Sequence, residues 1–125
     1  MRILVADDNE PVRRGIVGIL SHDPDLEICG EASDSCDVIQ KAYELRPDVI
    51  LLDVSMPGGN GLQVASILKK RLPALKILIV SQHDPRQMLT RSLEAGAAGC
   101  IDKSRLATDL LPAIRDLQTV GEGQT

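Results

Sequence analysis

The chain has 125 residues, 43% hydrophobic and only 1% aromatic, with a formal net charge of −4. That is too apolar for disorder, the length suits one domain, and the negative balance argues against direct nucleic-acid binding, which needs a cationic surface. No apolar run approaches a membrane span, and Met1-Arg2-Ile3-Leu4-Val5-Ala6-Asp7-Asp8 meets acid too early for a signal peptide, so no membrane association and a cytoplasmic location are expected.

Ile3-Leu4-Val5-Ala6 is a short continuous apolar run, the pattern of a strand buried on both faces. A helix follows, with Pro11 in its first turn, Val12, Ile16, Ile19 and Leu20 on one face, and His22-Asp23-Pro24 as its end. Leu26, Ile28 and Gly30 alternate with Glu27, Cys29 and Glu31, which predicts an edge strand. Ser33, Asp34 or Ser35 can cap the next helix, whose stripe is Val38, Ala42 and Leu45 and whose stop is Pro47. Val49-Ile50-Leu51-Leu52 is a second buried strand, ending at Asp53. Val54 to Gly61 is rich in turn residues. Leu62, Ala65, Leu68 and Leu72 mark a third helix, and Ile77-Leu78-Ile79-Val80 a third buried strand ending at Ser81.

Arg86 to Ala95 reads as a helix with Leu89 and Leu93 facing inward and Gly96 as its stop. Gly99-Cys100-Ile101 is a short strand before Asp102-Lys103. A last helix begun at Ser104 would hold Pro112 in its interior, where proline breaks a hydrogen bond. Thr108 as N-cap puts Pro112 in the first turn, so that start is expected, with Leu110, Ile114 and Leu117 inward. One domain over 1–120 follows, with 121–125 a flexible tail or the start of a linker. Cys29, Cys36 and Cys100 are odd in number and form no CxxC pair, so they read as small packing residues in a reducing compartment.

Five strands alternate with five helices in this reading, and three strands are apolar throughout and hence central. The pattern predicts an α/β fold: an open parallel sheet with helices on both faces and ligands at the carboxyl ends of the strands. Those ends carry Asp7 and Asp8, then Asp53, Ser81 and Lys103. Three carboxylates together repel unless a cation neutralises them, and all-oxygen ligands of high charge select Mg2+. Lys103 offers a point charge to a phosphoryl group and Ser81 a hydrogen-bond donor. A carboxylate can serve as nucleophile and form an acyl phosphate. Singly, each residue has a plainer role, as a cap, a turn residue or a solvated lysine. The joint pattern is what points to phosphoryl chemistry.

Ile3-Leu4-Val5-Ala6-Asp7-Asp8, Leu51-Leu52-Asp53-Val54-Ser55-Met56-Pro57, Gly61, Ser81, Ala95-Gly96-Ala97-Ala98-Gly99 and Lys103 together resemble the receiver domain of two-component response regulators, over roughly Arg2 to Leu117. Arg13-Arg14-Gly15, Leu72-Pro73 and Glu94-Ala95-Gly96-Ala97 look most like receivers that precede a helix-turn-helix DNA-binding domain. The resemblance implies a flavodoxin-like (βα)5 three-layer sandwich with strand order 2-1-3-4-5. It implies Asp53 as phosphoacceptor. Asp8 and Asp53 would bind Mg2+ directly, Asp7 through water, with the Ser55 backbone carbonyl as a further ligand. Ser81 and Lys103 would hold the phosphoryl group. The donor would be a phosphohistidine on a sensor kinase or phosphotransfer protein, and such receivers promote their own phosphorylation and dephosphorylation. Output would pass to a homodimer partner or an output domain through helix 4, strand 5 and helix 5.

The chain departs from the family pattern in three places. Cys100 stands where many receivers carry Tyr or Phe, so an aromatic rotamer change cannot transmit the signal. Ser104 follows the lysine in place of proline, and a trans bond is expected, since a non-proline cis bond costs about 2.5–4 kcal/mol. Gln82 is larger than the usual residue after Ser81 and, with His83, is expected to alter phosphoryl lifetime. Other readings fit less well. A haloacid-dehalogenase-type phosphatase would need Asp where Ser55 stands, a flavin site would need aromatics, and no GxGxxG follows the first strand. A receiver-like interaction module without phosphorylation is the alternative kept open by Cys100.

Overall fold

The computed structural model describes residues 1–82 and 84–123, except for the side chains of Pro85 and of 119–123. The chain alternates β1 (Arg2–Ala6), α1 (Glu10–Leu20), β2 (Glu27–Ala32), α2 (Ser35–Leu45), β3 (Val49–Asp53), α3 (Gly61–Arg71), β4 (Lys76–Ser81), α4 (Pro85–Glu94) and β5 (Gly99–Asp102). A 3-10 turn over Lys103–Arg105 then leads into α5 (Leu106–Gly123). All strand pairs are parallel, in the order β2-β1-β3-β4-β5, the order the family resemblance implied.

Each central strand is buried on both faces because its side chains alternate between two helical layers. Ile3 and Val5 of β1 pack with Ile16, Leu20, Leu110 and Ile114 from α1 and α5. Leu4 and Ala6 pack on the opposite face, with Val38, Ala42, Ala65 and Leu68 from α2 and α3 and Met88 from α4. β2 is an edge strand as the alternation suggested, and its pairing with β1 slips by one residue, so that Cys29 forms a bulge. Asn9 caps α1 by accepting from the Val12 amide, and Asp34 caps α2 by accepting from Asp37. Gly96 ends α4 at φ +94°, a left-handed conformation that glycine adopts freely.

Two expectations about helices are corrected. α4 turns Met88 and Ser92 inward, while Leu89 and Leu93 are 42% and 52% exposed. Ser92 can be fully buried because its hydroxyl donates to the Met88 carbonyl at 2.6 Å. α5 begins at Leu106, not after Thr108, and Pro112 lies inside the helix. The 3-10 turn is capped by Asp102, which accepts from both the amide and the hydroxyl of Ser104. Starting there lets Leu106 pack with the α1 and α5 cluster. Pro112 has no N–H to donate to the Thr108 carbonyl, and both residues are exposed.

α5 covers residues 121–123, and 124–125 lie outside the described residues. Cys29 and Cys100 pack against the core as expected, but Cys36 is exposed on α2 and does not. Among the described residues no helix is long and apolar enough to cross a membrane.

Candidate functional site

Four strands deliver their terminal residues to one edge of the sheet. Asp7 follows β1, Asp53 ends β3, Ser81 ends β4 and Lys103 follows β5. Parallel pairing sets their depth: Asp53 is level with Val80, and Ser81 with Asp102. Asp7, Asp53 and Ser81 are 0%, 2% and 1% exposed, whereas Asp8 is exposed at the rim. One oxygen from each of Asp7, Asp8 and Asp53 lies within 4.8 Å of the others. The structure therefore brings together the acidic residues that the sequence singled out.

Lys103 bridges the two buried acids, with Nζ 3.2 Å from both Asp7 Oδ2 and Asp53 Oδ2. The remaining oxygens are held by backbone. Asn9 N–H donates to Asp7 Oδ1 at 2.8 Å, and Ser55 N–H donates to Asp53 Oδ1 at 3.1 Å. Asp7 Oδ2 has the ammonium as an ionic neighbour but accepts no aligned hydrogen bond among the described residues, although it is buried. Burial pushes the Asp53 carboxyl above the ordinary carboxylate range; the Ser55 amide opposes the rise, Asp7 adds to it and Lys103 opposes it. Burial works against the Lys103 ammonium, but Asp53 and Asp7 outweigh it and hold its pKa above the usual lysine value. Lysine thus stays charged between acids of which one is reluctant to ionise.

The loop after β3 is fixed from two sides. A Cβ on Gly61 would sit 2.7 Å from Val54 Cα and 2.9 Å from the Asp53 carbonyl oxygen, so only glycine lets the start of α3 close on the strand end. Ser35, expected only as a cap, is buried and accounts for two bonds to this loop: its N–H donates to the Pro57 carbonyl and its hydroxyl to the Gly59 carbonyl. No sequence pattern flagged that bridge. Gln82 is exposed and lines a groove of about 600 Å³, together with Val12, Ile16, Lys103 and Leu106. His83 lies outside the described residues. Cys100 faces α4, where burial pushes its thiol pKa up while the neighbouring Ser92 side chain opposes the rise. The Lys103–Ser104 peptide is trans.

The acidic cluster fits a divalent cation on this structure's own terms: a buried carboxylate oxygen lacks a hydrogen bond, and three carboxylates face one ammonium. Comparison with known proteins follows the same lines. The family model described as "Response regulator receiver domain" matches residues 3–115. The chain is 34% identical over 125 residues to the DNA-binding transcriptional activator DevR/DosR of Mycobacterium tuberculosis, covering all of this chain and 56% of that protein. It thus spans little more than half the length of this curated relative. Among solved structures, it is similar to the signal receiver domain of the putative response regulator NarL from M. tuberculosis (TM-score 0.86, 34% identity, 93% of this chain and 94% of that one). It is also similar to the isolated receiver domain of RcsB from Salmonella enterica serovar Typhimurium in the presence of phosphomimetic BeF3- (TM-score 0.89, 30% identity, 95% and 88%). With the strand order, the acidic edge and the lysine already in place, these matches make the chain a member of the response regulator receiver domain family of two-component systems.

Proposed function

We propose that this receiver accepts a phosphoryl group onto Asp53 from a phosphohistidine of a sensor kinase or phosphotransfer protein, in the cytoplasm. The observation that carries this reading is the Lys103 ammonium held 3.2 Å from both Asp7 and Asp53 at the floor of an acidic pocket. An Asp53 oxygen attacks phosphorus, the P–N bond breaks, and the histidine nitrogen keeps the bonding pair and takes up a proton. Asp53 is then an acyl phosphate. The Ser55 amide already anchors Asp53 Oδ1, which fixes the carboxylate plane for in-line approach. Lys103 compensates charge on the transferred group, and the Ser81 hydroxyl donates to another of its oxygens.

Mg2+, held by Asp8 and Asp53 with Asp7 through water and the Ser55 carbonyl, would neutralise the charge that gathers on the phosphoryl oxygens. Output passes to a second copy or to an output domain through the surface of α4, β5 and α5, where the exposed Leu89 and Leu93 supply apolar area. DevR/DosR, by its name, binds DNA, and we extend to this chain a role in transcription control through a domain other than the receiver. Gln82 lines the same groove as Lys103, which supports a screening role toward water in the lifetime of the phosphorylated state.

Incubation with acetyl phosphate and Mg2+ tests the reading by intact mass. Wild type gains one phosphoryl group and Asp53→Asn gains none. A gain that persists in Asp53→Asn rules out this acceptor, and no gain in wild type leaves the non-phosphorylated interaction module as the better account.

A further inference from the structure

Asp8 is the exposed member of the acidic cluster, and its side chain has no hydrogen bond or ion pair among the described residues. Its carboxylate is therefore aimed by backbone alone. Asp7 N–H continues the strand ladder to the Ala32 carbonyl at 3.0 Å, and Asn9 N–H donates to Asp7 Oδ1 at 2.8 Å. A third bond acts on the Asp7–Asp8 peptide itself. Arg13, in α1, donates from Nη1 to the Asp7 carbonyl at 2.8 Å. That carbonyl lies beyond the end of β1. The peptide unit is planar, so fixing its oxygen also fixes the plane that carries the Asp8 nitrogen and Cα.

Arg13 is itself held. Its Nε lies 2.9 Å from Glu31 Oε1 on β2, and its side chain is only 19% exposed. A planar guanidinium can make both bonds at once, which a lysine ammonium on its flexible stem does not reproduce. The clamp thus runs from β2 through α1 to the peptide that carries the outer acid.

We propose that Arg13 is the positioning residue for Asp8, setting the direction in which the outer carboxylate meets the divalent cation. This rests on the Mg2+ reading above. Charge and orientation make opposite predictions here. A cation near three carboxylates weakens Mg2+ binding, so by charge alone its removal would tighten binding. Pairing with Glu31 cancels much of that charge, and losing a group that orients a metal ligand from behind typically costs about 10–100-fold in affinity. Orientation therefore wins.

The test is calorimetric titration of Mg2+ into metal-free wild type, Arg13→Ala, Arg13→Lys and Glu31→Gln. It is paired with amide exchange at Asn9 in the absence of metal. Arg13→Ala is expected to weaken Mg2+ about tenfold and to speed Asn9 exchange while the centre of β1 stays protected. Arg13→Lys falls between, and Glu31→Gln, which keeps an acceptor, stays close to wild type. Acetyl phosphate labelling of Arg13→Ala recovers its rate when Mg2+ is saturating. Mg2+ binding by Arg13→Ala that is unchanged or tighter overturns the proposal, and so does a rate defect that survives saturation. Should Arg13→Ala fail to fold, Arg13→Lys decides, because affinity equal to wild type would leave charge as the whole effect. A wild type that binds no Mg2+ overturns the metal reading instead, and Asn9 exchange still judges Arg13 as a clamp on the backbone.

Discussion

At the scale of single residues, burial governs Asp53. Desolvation lifts its carboxyl pKa above the ordinary 3.8, against the Ser55 amide and Lys103. The folded state then binds this proton more tightly than the unfolded state. The contribution to stability is complete below the unfolded value and is lost as pH rises through the raised folded one. Asp53→Asn removes that loss. In metal-free buffer at pH 7 it should melt higher than wild type. Below pH 3.8 the two should converge. Melting curves in chelator at both pH values check this, and a lower melting temperature for the variant at pH 7 contradicts it. Asp53 was legible because a fully apolar strand announces its own end. Arg13, Glu31 and Ser35 were not legible as site residues, because their contacts join elements distant in sequence and follow no local period.

At the scale of elements, the helices show what patterning leaves open. In α4 the expected inward pair, Leu89 and Leu93, is displaced by one residue: Met88 and Ser92 face the core. Ser92 can do so because it satisfies its hydroxyl within its own helix and then packs as a small residue against Cys100. In α5 the proline rule gave way to burial of Leu106, which needs an earlier helical start. That choice has a measurable cost. Proline in a helix interior is about 3 kcal/mol worse than alanine, and the stiffer unfolded chain returns up to about 1 kcal/mol of it. Pro112→Ala should therefore stabilise the domain by about 1–2 kcal/mol, read as a higher urea midpoint with unchanged slope. A lower midpoint would mean that Pro112 supports a bend the packing requires.

At the scale of the molecule, the sheet separates its two ends. The acidic pocket occupies the carboxyl edge. At the opposite edge Lys76, the first residue of β4, donates from Nζ to the Leu117 carbonyl at 2.9 Å and ties α5 to the sheet. A cation bound only by the folded state stabilises the whole domain, by about 1.4 kcal/mol at ten times its dissociation constant. Mg2+ should thus raise the melting temperature of wild type. Asp8→Ala should lose that rise while melting close to wild type in chelator, because Asp8 is exposed and its side chain has no partner among the described residues. A large change in its metal-free melting temperature would show that Asp8 supports the fold as well.

The bulge at Cys29 has a consequence of its own. Edge strands expose unpaired backbone groups that can template the addition of a foreign strand. Here β2 carries Glu27 and Glu31 and is broken in register at Cys29, while the other edge, β5, has only four residues. Neither edge offers a long, flat, uncharged template. The sheet is therefore poorly suited to growth by recruiting strands from other chains, and Glu31, which holds Arg13, also guards the edge against aggregation.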